Sequence, residues 1–137
     1  MPSDGRNNNN NMTYYSALGI KEINVCPVEM TEAMKLETAE RIIVRVAKFY
    51  DVEIGKVKSK GRSGLVPRVR QIASWMINKK VKGLALKQVS RLFGNAYLQR
   101  TGEYDHTAII HNIKKVNGWV KVGDSVVQDI TNLMAIL

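Results

Sequence analysis

Asp105-His106-Thr107 puts a carboxylate, an imidazole and a hydroxyl bearing a methyl on three successive residues, at what reads as the start of a helix. An ionised Asp only accepts hydrogen bonds, a Thr hydroxyl donates and accepts, and imidazole offers two distinct nitrogens. Such groups at a helix tip suit the edges of nucleic-acid bases. Asp accepts from the amino group of cytosine, and Thr offers its methyl or hydroxyl. A second set is cationic. Arg62 lies in a Gly- and Ser-rich loop with Lys58 and Lys60, Arg70 precedes Gln71 in a helical stretch, and Lys87 lies further on. Ammonium and guanidinium groups gathered this way suit phosphate.

The charge is concentrated in the same region. The chain of 137 residues has 21 Lys and Arg against 12 Asp and Glu, a net charge of +9. Twelve of those cations, and no carboxylate, lie between Glu53 and Glu103. Solvated helices normally mix signs, so a long acid-free block marks a surface for a polyanion. An anionic membrane is the rival partner, but a membrane-surface helix needs an apolar face left free for lipid. Here the apolar stripes are needed for a core.

Other chemistry is poorly served. His106 and His111 are five residues apart, about 140° around a helix axis. Metal-binding pairs favour a four-residue step, and neither a cysteine nor a well-placed carboxylate completes a site. No metal and no cofactor is therefore expected, and His111 reads as a surface residue. Cys26 is the single cysteine, so it has neither a disulfide partner within the chain nor the makings of a cysteine zinc site. No Ser-His-Asp or paired-carboxylate arrangement stands out, and an enzyme is not expected. Trp75, Trp119 and Phe93 fall among other apolar residues at helical spacing and read as core. No apolar run is long enough to cross a bilayer, the N-terminus has no apolar core of a secretory signal, and a cytoplasmic setting is expected.

The elements that must position these residues are helical. Residues 1–30 read as a flexible or partly ordered segment, with five consecutive Asn and then a more apolar stretch from residue 13. One domain is expected over 31–137. Ile42, Ile43, Val46, Ala47, Phe49 and Tyr50 recur at three- and four-residue steps, which predicts a helix from about Thr31 to Asp51. A short turn over 53–57 and the loop Lys58–Gly64 follow. Pro67 suits the first turn of a helix to about Asn78, burying Val69, Ile72, Ala73, Met76 and Ile77. Leu84–Phe93 reads as a short helix closed by Gly94. Asp105 reads as an N-cap for a helix striped by Ile109, Ile113, Val116 and Val120, interrupted near Gly118. Asp124 or Ser125 starts a last helix. The fold class is all-α, with no strand alternation and no internal repeat.

Three segments carry a resemblance: Lys60-Gly61-Arg62-Ser63 with Arg68-Val69-Arg70-Gln71-Ile72-Ala73, then Leu86–Gly94, then Asp105-His106-Thr107-Ala108-Ile109-Ile110-His111. In order and spacing they resemble the C-terminal DNA-binding domain of the bacterial replication initiator DnaA, a Trp repressor-like helix-turn-helix fold. The resemblance spans roughly 39–137. It implies that Asp105, His106, Thr107 and the position of Ala108 meet base edges of double-stranded DNA in the major groove. It further implies that Arg70 also reaches that groove, that Gln71 touches the backbone and that Arg62 enters the minor groove. Lys60, Lys87 and Lys58 would sit on phosphates.

Three departures stand beside the likeness. Ala108 replaces a Thr that is usual in the family, Tyr104 replaces an Arg, and the segment Asn95–Tyr104 is several residues longer than a tight turn. The chain also carries no G-x-x-x-x-G-K-[ST] phosphate loop. The expected function is sequence-specific duplex binding in replication initiation or its regulation, without an ATPase module. The alternative is a transcriptional regulator or a protein-interaction module on the same fold, docking through residues 13–36 or the last helix.

Overall fold

A computed structural model describes residues 30–136. The expectations for residues 1–29 lie outside the described residues. Six α-helices follow in order: α1 Glu32–Phe49, α2 Ile54–Val57, α3 Val66–Lys80, α4 Leu86–Leu92, α5 His106–Val122 and α6 Val126–Ile136. A 3₁₀ turn, Gly94–Tyr97, lies between α4 and α5. Among the described residues no strand forms beyond one isolated antiparallel bridge, Leu98 with Tyr104. No described helix is long and apolar enough to cross a membrane.

Capping groups set several of the helix boundaries. Thr31 Oγ1 accepts from the amide of Met34 at 3.2 Å and starts α1. The end of α1 closes with the amide of Val52 on the carbonyl of Ala47 and that of Asp51 on Lys48, with Asp51 at φ 56°. A short polar side chain tolerates that left-handed position, which is usually glycine's. Gly123 plays the same part after α5, at φ 72°. Gly118 does not interrupt α5, since tertiary packing overrides its low propensity. The expected turn over 53–57 winds into the single turn of α2, and α4 is shorter than expected at both ends.

Helix α3 is the spine, packed between α1 and α5. Ile43 and Val46 of α1, Ile72 and Met76 of α3, Phe93 after α4, and Ile109 and Val116 of α5 are fully buried and fill one core. Val120 was expected on this stripe, but it is 40% exposed because the packing of α5 has shifted to Trp119. Trp75 Nε1 donates to Asn117 Oδ1 at 2.8 Å, tying α3 to α5. Helix α6 packs on α5 and α1. Its Asp129 Oδ2 accepts from Tyr50 Oη at 2.7 Å, while Leu133 is fully buried.

Candidate nucleic-acid interface

The basic loop between α2 and α3 is held from beneath by Arg70. Its Nε donates to the carbonyl of Val57 at 2.9 Å, and its Nη2 donates to those of Lys56 at 3.0 Å, Gly61 at 2.7 Å and Ser59. Four loop carbonyls are thus gathered on one planar cation, of which that of Lys56 also accepts from the Ser59 amide and hydroxyl. Burial pulls the Arg70 guanidinium below the ordinary arginine range; Tyr97 opposes that shift and the nearby charge of Arg62 adds to it. The expectation that Arg70 extends into a groove is therefore corrected. It is 5% exposed, and its hydrogen bonds are spent on the loop.

The cations of that loop divide. Lys58 turns back to α1, where its Nζ is 2.8 Å from both carboxylate oxygens of Glu40, so the phosphate expected for it is replaced by an internal partner. Lys60 and Arg62 remain exposed. Lys60 Nζ donates to the carbonyl of Leu98 at 2.7 Å, which reaches across to the segment before α5. Gly94 sets the approach of that segment. At φ 58°, it would place a Cβ 3.1 Å from the carbonyl of Lys58, so a side chain there crowds the loop.

Helix α5 presents its first turn outward. Asp105 Oδ1 accepts from the amide of Thr107 at 3.0 Å, as the expected N-cap, leaving its second carboxylate oxygen for another donor. His106 and Thr107 are exposed, whereas Ala108 and Gln71 are half-buried. Two open clefts meet here. One, of about 390 Å³, is lined by Arg62, Gln71, Ala108, His111 and Lys115. The other, of about 380 Å³, is lined by Lys60, Arg62, Gln99, Asp105 and Ala108. Tyr97 and Arg70 form walls common to both. The structure thus brings Arg62, Gln71, Asp105 and Ala108 to one surface, with His106 and Thr107 at its edge. Lys87 lies apart from both clefts and pairs with Glu103 at 2.8 Å.

Some residues of the site are not evident in the sequence. Asn112 Nδ2 donates to Ser74 Oγ at 3.1 Å and to Tyr97 Oη at 2.8 Å, and Ser74 Oγ donates to the carbonyl of Arg70 at 2.7 Å. This buried chain of polar groups fixes α5 and the 3₁₀ turn against the helix that carries Arg70. Burial pushes the Tyr97 phenol above its ordinary pKa, with the Asn112 hydrogen bond acting in the opposite direction. The available signal was a polar residue inside a buried helical stripe, Ser74 beside Ala73 and Asn112 three residues after Ile109. His111 and Lys115 line a cleft that no reading of periodicity singled out.

A short helix, a connecting segment and a longer helix with an exposed, capped first turn beside a basic loop define a helix-turn-helix domain. The bacterial dnaA protein helix-turn-helix family matches residues 39–116, more than half of the chain, and the chain belongs to that family. The match runs from α1 into α5 and stops short of the 39–137 span that the sequence suggested. The chain therefore carries a DNA-binding domain of the replication-initiator type. No solved structure matches the chain.

Proposed function

We propose that this domain binds duplex DNA with sequence preference, as a participant in replication initiation or its regulation. The reading rests on one observation: the exposed first turn of α5 and the open Arg62 stand over adjoining clefts whose lining cations, Lys60, Arg62, Arg70 and Lys115, face no carboxylate but Asp105. In the proposed complex that turn enters the major groove. The free oxygen of Asp105 accepts from a cytosine amino group, while His106 and Thr107 meet neighbouring base edges. The Ala108 methyl meets a thymine methyl in place of a polar contact. Arg62 enters the adjacent minor groove, where a narrow groove concentrates negative potential. Gln71 and Lys60 hold phosphates, while Lys87 stays with Glu103. Arg70 acts by positioning the loop beneath Arg62.

Selection of bound duplexes from a random pool at near-physiological salt tests this directly. A recovered motif is expected for the intact chain. His106→Ala is expected to blur that motif, whereas Lys60→Ala leaves the bases read by α5 unchanged while it weakens binding and lowers the salt slope by about 0.9. Equal affinity for selected and random duplexes would refute base reading by α5.

A further inference from the structure

The segment that lengthens the connection between α4 and α5 is an ordered hairpin. The amide of Asp105 donates to the carbonyl of Tyr97 at 2.9 Å and closes its neck. Above the neck Leu98 pairs with Tyr104, and the amide of Gln99 donates to the carbonyl of Glu103 at 2.8 Å. Gly102, at φ 88°, turns the tip. Three cationic side chains brace it from two neighbouring elements. Lys60 of the basic loop holds the carbonyl of Leu98, Lys87 of α4 pairs with Glu103, and the Arg91 guanidinium lies 5.5 Å from the centre of the Tyr104 ring.

An insertion that is merely tolerated needs no such fastening, because surface loops accept extra length at small cost. This one is fixed beside the proposed DNA surface, and Gln99 lines the same cleft as Asp105 and Arg62. Its one carboxylate, Glu103, is occupied by Lys87, whose hydrogen bond and charge hold that carboxyl below its ordinary range. At the tip Arg100 is exposed and makes no hydrogen bond or ion pair within the described residues. A rigid tip carrying an amide and a guanidinium, next to a helix that enters a groove, has the chemistry of a second DNA contact.

The geometry points to the hairpin Leu98–Tyr104 as an added DNA-reading element. Arg100 contacts a backbone phosphate, and Gln99 meets a base edge flanking those read by Asp105 and His106. This rests on the proposed duplex binding and lengthens its footprint. A bidentate amide at Gln99 selects adenine. Arg100 adds one displaced counterion.

The test compares Arg100→Ala, Gln99→Ala and His106→Ala in the full chain, all exposed positions, with thermal unfolding as a control. For Arg100→Ala the slope of log affinity against log salt is expected to shrink by about 0.9. For Gln99→Ala, selection is expected to lose discrimination by about fivefold or more at one flanking base pair while the central motif persists. An unchanged slope and an unchanged motif in these two variants, with His106→Ala still blurring the motif, would overturn the hairpin's role and leave α5 reading intact. If His106→Ala is silent too, both readings fail together.

Discussion

Arg70 Nε meets the carbonyl of Val57 at 2.9 Å, and through this contact the α3 helix controls the shape of the basic loop. The same side chain covers three further carbonyls. Arg70→Ala removes the donor shared by these carbonyls, of which that of buried Val57 is the hardest to rehydrate. The expected loss is about 2–3 kcal/mol in urea unfolding, since hydrogen bonds to a charged group contribute roughly 1.5–3 kcal/mol each and part of the set rehydrates. Arg70→Lys is expected to lose most of this as well, because an ammonium cannot serve four carbonyls in one plane. Amide shifts at residues 58–62 should move in both variants, together with weakened binding of all duplexes.

Asp105 has two separable tasks, one for each carboxylate oxygen. Asp105→Ala removes the cap on the Thr107 amide and should cost about 1 kcal/mol. Asp105→Asn keeps an acceptor for that amide, so its unfolding midpoint should stay near that of the parent. Yet it places a donor where a base amino group is expected, so selection should shift at that base pair in both variants. A shift in the Ala variant alone would mean that only the cap matters.

Asn112 supplies two donors to a buried chain of groups and is 9% exposed. Asn112→Asp replaces the donors with acceptors and puts a largely buried carboxylate against the Ser74 and Tyr97 oxygens. We expect a loss of about 1–3 kcal/mol at neutral pH. Lowering the pH through the carboxyl's titration should recover part of it, because the protonated acid again donates. Chemical unfolding at two pH values checks both parts.

Tyr50 and Tyr97 share one sign of pH dependence. Burial is the first cause for each, and it raises the phenol above its ordinary pKa of about 10. For Tyr50 the hydrogen bond to Asp129 acts in the same direction. A group raised in the folded state gives its full stabilisation below the unfolded pKa and loses it as pH climbs beyond that value. Stability should therefore fall above about pH 10. Tyr50→Phe and Tyr97→Phe should each flatten that fall while lowering the plateau at neutral pH by about 1 kcal/mol. Thermal melts from pH 7 to 11, a range chosen to bracket the phenol near 10, provide the check.

The helices were legible because their apolar residues repeat at helical spacing, and because Pro67 and Asp105 stand where helix starts require them; Gly123, which closes α5, passed unnoticed behind Gly118. The family was legible because short motifs kept their order. What the pattern could not supply was the direction of individual side chains. Arg70 reads as one more cation of an acid-free block, and only the tertiary approach of α2 and its loop turns it inward. Lys58 meets Glu40 across eighteen residues of chain, a pairing that no local spacing encodes. Asn112 and Ser74 look like flaws in an apolar stripe until the fold makes Asn112 the bridge between Ser74 and Tyr97 of the 3₁₀ turn. The hairpin was read as length alone, because its order depends on Lys60, Lys87 and Arg91 meeting it in space.

The neck formed by Tyr97 and Asp105 has a consequence for how this domain can be remade. Since one 2.9 Å hydrogen bond brings the two ends of the segment together, everything between them hangs from a closed ring. The angle between α4 and α5 is therefore insulated from whatever is spliced in at that point. Exchange of the seven residues between Tyr97 and Asp105 is expected to leave the helices on either side in register, as at a grafting port, at the loss of the Lys87–Glu103 and Arg91–Tyr104 contacts.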